Sequence, residues 1–288
     1  MRCRDNCAAS RALLDADISA SICCYQEGVY EDLLPFSLLL QQTFAHSVVP
    51  FHEQFQPWFA SRGDNGLVRL LRCRPQSLTY LMRYAAWSGN MDLLRCLDSK
   101  GSLWSLENLL DIASSRGHLE ALTWLHHRGY SGCTTRAMNA AAEQGHLTIV
   151  QFLHCHRTEG CTRSAMNGAM MNGHLDIVRF LHEHRTEGCT PYGMDMCARN
   201  GHLHVVEFLH QHRTEGCTAD AMTWAAASGH LDVVRFLNEQ RVEGDATWAI
   251  EVATAAEHWD IVDYLVAHAT SEGPSDPNVV FSGRDFTF

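Results

Sequence analysis

Apolar residues between Met194 and Leu209 fall into two groups, each at the spacing of an amphipathic helix. The first group is sparse and includes small side chains: Met194, Cys197 and Ala198. The second group is bulky and forms a wide stripe: Leu203, Val205, Val206, Phe208 and Leu209. Asn200 and Gly201 stand between the groups, and glycine suits the left-handed position that ends a helix. The pattern therefore predicts two short helices joined by a tight turn.

The residues around this helix pair predict where it begins and ends. Thr190 is a favourable N-cap, and Pro191 follows at the first helical position, where its missing N–H is not needed. A polar turn at 213–216 separates the second helix from the next apolar group. Small residues in the first helix permit close helix approach, and bulky residues in the second fill the space between layers.

The same two-helix pattern recurs every 28 residues along most of the chain. Gly-His-Leu occurs at five positions with this period: Gly117, Gly145, Gly173, Gly201 and Gly229. One register earlier lies Gly89, and one register later Glu257 replaces the glycine. His-Arg-Thr-Glu-Gly-Cys-Thr is repeated without change from His156, His184 and His212. A single unit of this size has too little apolar surface to fold alone, so we expect the units to stack as a solenoid.

One such unit resembles the ankyrin repeat. Residues 136–146 (RAMNAAAEQGH) resemble the family pattern T-P-L-H-x-A-A-x-x-G-H, and residues 147–153 (LTIVQFL) resemble its second helix, L-x-x-V-x-x-L. The resemblance covers about residues 75–269. It implies stacked helix-turn-helix repeats that bind another protein.

The period departs from that of the family, which is about 33 residues. The five missing residues fall between the second helix and the next first helix, where ankyrin repeats carry a projecting β-hairpin finger. Here only a turn such as 185–188 remains. We therefore predict an all-α solenoid of stacked ankyrin-like repeats with little or no β-strand, and a concave surface without fingers. Finger residues of the family cannot be transferred to this chain as ligand contacts.

The period also predicts the domain organisation. Residues 1–60 do not follow it and are expected to form an N-terminal helical capping or accessory segment. Residues 61–74 are a degenerate half-repeat or connector, because GDNGLVRLL at 63–71 echoes GNMDLLRCL at 89–97. Residues 75–269 form about seven ankyrin-like units, and 270–288 have the composition of a flexible C-terminal tail.

Residues 33–48 (LLPFSLLLQQTFAHSV) are faintly similar to an F-box, a short helical module that recruits ubiquitin ligases. The leading prediction is a non-catalytic interaction module or scaffold, and the alternative is a substrate adaptor for ubiquitin ligation through this segment. Whether residues 1–60 pack on the repeats or form a separate recruiting module is left open.

Composition narrows the range of partners. An apolar content of 46% is ordinary for a folded protein. The net charge of −11 argues against nucleic acid and against a polybasic membrane anchor. No apolar run is long enough for a signal peptide or a transmembrane helix. We therefore expect a monomer with reduced cysteines in the cytoplasm, with the nucleus as an alternative.

Eighteen histidines and twelve cysteines raise the question of metal binding. The Gly-Cys-Thr cysteines are Cys133, Cys161, Cys189 and Cys217. Equivalent residues of stacked helices lie about 8–10 Å apart, too far for a disulfide or a shared zinc ion. The His-x-His pairs that begin at His154, His182 and His210 are expected to point in different directions. The sequence also contains no paired nucleophile and base and no phosphate-binding loop, so we predict no catalytic residue, cofactor or metal. An enzyme or a metal-buffering protein is the third functional hypothesis, after the scaffold and the adaptor.

Candidate binding residues are those that differ between units whose flanking residues barely change. The two residues before each Gly-His differ in every unit, and by resemblance to ankyrin repeats they face the concave groove. Four further positions lie one helical turn earlier. The predicted partner-binding residues are Trp87, Ser88, Ser115, Arg116, Asn139, Glu143, Gln144, Asn167, Met171, Asn172, Asp195, Arg199, Asn200, Thr223, Ala227 and Ser228.

Overall fold

The computed structural model describes residues 25–26, 29–33, 39–41, 44–99, 108–241 and 244–269. The chain divides into two compact units, unit 1 at 1–132 and unit 2 at 133–288. Each unit buries its own set of apolar side chains.

Unit 1 is helical apart from one short antiparallel strand pair. Strands β1 (Tyr25–Gln26) and β2 (Val29–Tyr30) pair with Tyr25 opposite Tyr30. Two single 3₁₀ turns follow, at Glu31–Leu33 and Leu39–Gln41. The helices are α1 (Phe44–Cys73), α2 (Ser77–Ser88), α3 (Met91–Asp98), α4 (Leu109–Ser115) and α5 (Leu119–His127).

An aromatic cluster joins α1 to α2 in unit 1. Phe51 and Phe55 stack with ring centroids 4.8 Å apart, and Tyr84 meets both rings edge-on at 5.0 and 5.3 Å. All three are buried, and burial raises the pKa of Tyr84 to about 12. Helix α1 runs through the boundary expected between residues 60 and 61 and has a non-helical conformation at Gly63. The division of the chain at residues 60, 74 and 269 stays a prediction.

Unit 2 consists of five helix pairs in the described part of the chain. Each pair has a first helix and a second helix in the order that the 28-residue period predicts. The first helices are α6 (Thr135–Glu143), α8 (Arg163–Met171), α10 (Pro191–Arg199), α12 (Asp220–Ala227) and α14 (Ala246–Ala255). The second helices are α7 (Leu147–His156), α9 (Leu175–His184), α11 (Leu203–His212), α13 (Leu231–Gln240) and α15 (Trp259–Ala269).

The turn within each pair follows the sequence prediction. Helix α10 ends at Arg199, Gly201 adopts a left-handed φ of 74°, and α11 begins at Leu203. Thr190 holds the N-cap position of α10, but its side chain makes no capping bond. Its hydroxyl accepts a hydrogen bond from the preceding repeat instead, as described below.

The core of unit 2 lies between the two rows of helices. First helices contribute small or flexible side chains such as Ala169 and Met170, and second helices contribute branched ones such as Ile177 and Leu181, all buried. Burying one such branched side chain contributes roughly 1.5–3 kcal/mol. First helices pack on one another more extensively than second helices do. The resemblance to ankyrin repeats predicts that this row of first helices lines the concave, inner side of the stack. The all-α repeat fold predicted from the sequence is confirmed.

The histidine after each glycine links two neighbouring repeats. The His174 ring nitrogen Nε2 lies 3.1 Å from the carbonyl oxygen of Glu143, and His202 Nε2 lies 3.1 Å from that of Met171. These oxygens belong to the preceding repeat, near the end of its first helix. Each of these histidines therefore caps a carbonyl group at the end of the preceding first helix, where the helix itself provides no hydrogen-bond partner.

The turns between repeats form a second link. Arg185 and Glu187 form an ion pair, with Nε donating to Oε2 at 3.2 Å. Arg213 and Glu215 form the equivalent pair at 3.1 Å, and Glu215 Oε1 also accepts from the backbone N–H of Cys189, in the preceding repeat, at 3.4 Å. These ion pairs lie at the boundary between consecutive repeats, which explains why an otherwise short polar turn is repeated without change.

Candidate protein-interaction surface

The exposed side of the first helices of unit 2, called the inner face below, contains most of the predicted binding residues. Its residues belong to α6, α8, α10, α12 and α14. Since successive repeats are offset by 28 residues, equivalent positions form rows across the stack. Each row can be examined for exposure and for contacts between repeats.

The first member of each predicted pair ends a first helix and points away from the core. Glu143, Arg199 and Ala227 are exposed, and Met171 is half-buried. Within the described residues, these four side chains take part in no hydrogen bond or ion pair. They form a row that is acidic, apolar, basic and then small, while the core beneath them hardly changes.

The second member of each pair includes two asparagines that connect repeats. Asn172 Nδ2 donates to the carbonyl oxygen of Glu143 at 3.0 Å, and Asn200 Nδ2 donates to that of Met171 at 2.7 Å. These are the same oxygens that the His174 and His202 rings approach. The remaining members, Gln144 and Ser228, are exposed. Part of the variation in this row therefore serves the stacking of repeats.

Asn139 and Asn167, one helical turn earlier, also connect repeats. Asn167 accepts from the backbone N–H of Thr190 at 3.0 Å and donates to its hydroxyl at 2.9 Å. Asn139 makes the same two bonds to Thr162, both at 2.9 Å. The amides hold the start of the next first helix. The Thr162 hydroxyl also caps its own helix by accepting from the backbone N–H of Ser164 at 3.2 Å, whereas the Thr190 hydroxyl makes no capping bond.

Asp195 and Thr223 occupy the same row but are buried, with 2% and 5% of their surface exposed. Their selection as exposed contact residues was therefore wrong. Asp195 accepts from the N–H of Thr218 at 2.8 Å and from its hydroxyl at 2.9 Å. Burial, the larger cause, and the charge of Asp220 raise the pKa of Asp195. Thr223 donates to the carbonyl oxygen of Ala219 within its own helix.

Four predicted residues belong to unit 1. The Arg116 guanidinium lies over the ring of Trp87, 4.7 Å from its centroid, and Trp87 also stacks on Tyr84 at 6.3 Å. Ser88 and Ser115 donate to carbonyl oxygens of their own helices. Of these four, Arg116 is the exposed side chain. Whether any of the sixteen residues contacts a partner stays a prediction.

An aromatic group on the inner face was missed at the sequence level. Tyr192 is 58% exposed and Trp248 is 41% exposed, both unusually high for large aromatic side chains. The Trp224 ring meets the Tyr192 ring nearly perpendicularly at 6.2 Å. The signal was available, because the position of Tyr192 is also variable. Its row reads Arg136, Ser164, Tyr192, Asp220 and Trp248.

The histidines near the ends of the second helices serve two separate purposes. His156 and His184 approach the carbonyl oxygens of Phe152 and Phe180 in their own helices, at 3.0 and 2.9 Å. His154 instead meets the ring of Phe180 in the next repeat edge-on, at 5.5 Å. Across the described residues, no three or more His, Cys, Asp or Glu side chains are grouped in a way that could hold a metal ion.

The cysteines of the repeat turns are embedded in the stack. Cys133, Cys161 and Cys189 are buried, and burial raises the pKa of the Cys161 and Cys189 thiols to about 11. The eight cysteines in the described part of the chain are free thiols. No described helix combines the length and apolarity that membrane crossing requires.

The repeat register, the glycine turns and the paired helices can now be compared with known families. The family model described as ankyrin repeats (3 copies) matches residues 109–195, 137–220 and 194–278, which together span more than half of the chain. The chain belongs to the ankyrin-repeat family. A comparison with curated proteins found no match.

Ankyrin repeats generally mediate protein–protein interaction, and ankyrin-repeat proteins are typically interaction modules without enzymatic activity. In this ankyrin-repeat chain, the described turns between repeats contain no strand. The F-box-like segment at 33–48 includes residues 34–38 and 42–43, which lie outside the described residues. The adaptor alternative therefore stays a prediction, and so does the tail at 270–288, also outside them.

Proposed function

We propose that this protein is a non-catalytic scaffold that binds a protein partner on the inner, concave face of unit 2. One observation carries the proposal. The residues that link the repeats are nearly constant, whereas Glu143, Met171, Arg199 and Ala227 differ in charge and size and their side chains have no described polar partner. A surface whose structure is constant and whose exposed side chains vary suits recognition of one particular partner.

The composition of the inner face supports a protein rather than a nucleic acid as partner. Basic and acidic residues are mixed along it, with Arg163 and Arg199 lying between Glu143 and Asp220 in the stack. Nucleic-acid binding needs a continuous basic surface, and the chain as a whole has a net charge of −11. The proposal includes a monomeric protein that lacks a cofactor.

We also infer that the protein works in a reducing compartment, the cytoplasm with the nucleus as the alternative. Support comes from Cys161, Cys189 and Cys197, which are buried free thiols within the repeats. Proteins of oxidising compartments commonly convert such cysteines into disulfides. Fluorescence microscopy of the tagged full-length protein tests this, and a secreted or luminal distribution would contradict it.

The binding surface is tested by comparing two matched double variants of the full-length protein. The inner-face variant carries Glu143→Arg and Ala227→Arg. The control carries Glu183→Arg and Gln211→Arg on the exposed side of the second helices, which we call the outer face. All four positions are exposed and lie at or near the ends of helices, and both variants change the net charge equally. Affinity purification from cells, with quantitative mass spectrometry, measures which proteins each form retains.

The proposal predicts at least one protein that the wild type and the outer-face control retain and the inner-face variant loses. Circular dichroism should show the same helix content and thermal midpoint for both variants, which separates loss of binding from loss of folding. Partners that are lost only with the outer-face substitutions, or retained by both variants, would overturn the assignment to the inner face.

A further inference from the structure

We propose that Tyr192, Asp220, Trp224 and Trp248 form a recognition site on the inner face for a cationic side chain, arginine or lysine, set in an apolar segment of the partner protein. This inference rests on the proposed function, since it assigns a chemical class to the partner that the inner face binds. It concerns three neighbouring first helices, α10, α12 and α14.

Two of the aromatic residues of this site, Tyr192 and Trp248, are exposed, and the third, Trp224, is half-buried in a neighbouring row. Tyr192, Asp220 and Trp248 are equivalent residues of three successive repeats, so Asp220 holds the register position between the two aromatic residues. Trp224 lies one helical turn after Asp220 on α12, and its ring meets that of Tyr192 at 6.2 Å and 85°. The repeat register therefore places Asp220 between Tyr192 and Trp248, and Trp224 contacts the Tyr192 ring.

Asp220 is exposed and carries a charge that no described residue neutralises. Its side chain takes part in no ion pair or hydrogen bond among the described residues, and its backbone N–H donates to the Thr218 hydroxyl at 3.1 Å. The nearby Asp195 is buried and already accepts two bonds from Thr218. The charge of Asp220 adds to the effect of burial in raising the pKa of Asp195.

Further residues around the site make it both apolar and acidic. Met196 and Val252 are the half-buried neighbours of Trp224 in its row, which reads Ala140, Gly168, Met196, Trp224 and Val252. Glu251 follows Trp248 on α14, and Asp245 is exposed at the start of that helix. Arg199, at the end of α10, is the basic residue on this part of the inner face.

A cationic side chain fits this arrangement better than an anionic or purely apolar one. A cation over the face of a tyrosine or tryptophan ring is attracted by the ring quadrupole, and a neighbouring carboxylate adds a charge-assisted hydrogen bond. Met196 and Val252 provide apolar surface for the residues on either side of the cation. An anionic partner residue would meet Asp220 and Glu251 and be repelled.

The test uses a phage library of random twelve-residue peptides selected on the immobilised full-length protein. Parallel selections use Asp220→Asn and the control Asp232→Asn, which changes an equally exposed carboxylate in the first turn of α13. Peptides from the wild type and the control should share an arginine or lysine between apolar residues. Peptides from Asp220→Asn should lose the preference for the cation and keep the apolar residues.

Calorimetry with a synthetic peptide of the wild-type consensus gives the quantitative result. Asp220→Asn should weaken binding at least about threefold, and Trp224→Ala at least about tenfold, as expected for the loss of a charge contact and an aromatic anchor. Replacing the peptide's cation with glutamine should weaken binding to the wild type more than binding to Asp220→Asn, because in the variant only the attraction by the aromatic rings is lost. The exposed Trp259→Ser should have little effect, because Trp259 lies on a second helix.

Three outcomes would overturn the cationic site: no enriched peptide, a consensus without a cation, or equal binding by the wild type and Asp220→Asn. The first and second leave the proposed function standing if the inner-face variant still loses its cellular partner. Peptides or partners that depend only on outer-face residues would overturn the proposed function as well. Circular dichroism of each variant separates a local effect from unfolding.

Discussion

Glu257 adopts a φ of 61° at the position where earlier repeats have glycine, such as Gly229 at 80°. A left-handed conformation costs a side-chain-bearing residue about 1–2 kcal/mol. A Cβ atom built at Gly229 would lie 2.8 Å from the ring of His258, in the following repeat. Glycine at 229 is thus needed both for the left-handed backbone conformation and for close packing against the next repeat. At Glu257 only the first requirement applies, because no further repeat among the described residues follows it.

Glu257→Gly should stabilise the protein, because it removes the backbone strain at no cost in packing. The expected gain is about 0.5–1 kcal/mol in the free energy of unfolding, less than the strain itself because glycine also makes the unfolded chain more flexible. Gly229→Ala, the matched change in the other direction, should cost about 1–3 kcal/mol. Urea unfolding measures both, and a loss of stability in Glu257→Gly would contradict the account.

Asp195 provides a second prediction at the residue scale. Its row contains Asn139 and Asn167, which make equivalent bonds without carrying a charge. Because burial and Asp220 raise the pKa of Asp195, the ionised carboxylate is unfavourable in the folded state. Asp195→Asn should therefore raise the thermal midpoint at pH 7.

The pH dependence of that gain follows from the direction of the pKa shift. As the pH falls through the raised pKa, Asp195 becomes protonated and resembles asparagine, so the difference between variant and wild type should disappear. Thermal unfolding at pH 7 and at pH 3 measures this. A gain of the same size at both values would show that charge burial is not its origin.

At the scale of elements, consecutive repeats are connected by polar side-chain contacts that cross the boundary between them. Histidine and asparagine reach the end of the preceding first helix, asparagine or aspartate holds the start of the next one, and an Arg-Glu pair joins the turns. The links span one repeat boundary each. Stacking therefore depends on the burial of apolar side chains and on hydrogen bonds to the unpaired backbone groups at the helix ends.

Glu215→Gln tests the third of these links. The bonds from Arg213 and from backbone N–H groups overcome the opposing effect of burial and lower the pKa of Glu215 from 4.5 to about 2. The carboxylate therefore stabilises the folded state fully above about pH 4.5, and this contribution is lost as the pH falls towards 2. The variant should lose about 1–3 kcal/mol at pH 7.

The stabilities of Glu215→Gln and wild type should converge between pH 4.5 and about 2, which chemical unfolding across that range would show. Glu183→Gln, at an exposed position on α9, is the matched control and should change stability by less than about 0.5 kcal/mol. A difference between Glu215→Gln and wild type that stays constant down to pH 2 would contradict the role of the ion pair.

The elements themselves could be predicted from the sequence, because the 28-residue period repeats the helix signals many times. The turn at Gly201 and the start of α11 at Leu203 follow directly from those signals. The links could not be predicted, since a period reveals equivalent residues but not which of them touch. His202 bonds to Met171, 31 residues earlier, and Thr190 to Asn167, 23 residues earlier.

The candidate surface was predictable in part for the same reason. Variation between repeats correctly located Glu143 and Arg199 as exposed, but it also selected Asp195 and Thr223, which vary inside the stack. Variation alone cannot distinguish a solvent-facing position from one that packs against the next repeat. The exposure of Tyr192 and Trp248 required the structure.

At the scale of the whole molecule, the chain is an acidic ankyrin-repeat protein whose repeats differ at exposed positions, among them those of the inner face of unit 2. Copying one unit has multiplied its histidines and cysteines, and those described here support the fold within the stack. The proposed function assigns recognition to residues that the copies do not share. The net charge of −11 favours a partner with basic segments, in agreement with the cationic site proposed above.

Site-specific photo-crosslinking tests this account most directly. A photoreactive phenylalanine analogue is placed in the full-length protein at Arg199 on the inner face, or at the outer-face residue Glu183 as the control, and cells are irradiated. The account predicts a discrete crosslinked partner from position 199 and none from position 183. A partner crosslinked from position 183 but not from position 199 would contradict the assignment of binding to the inner face.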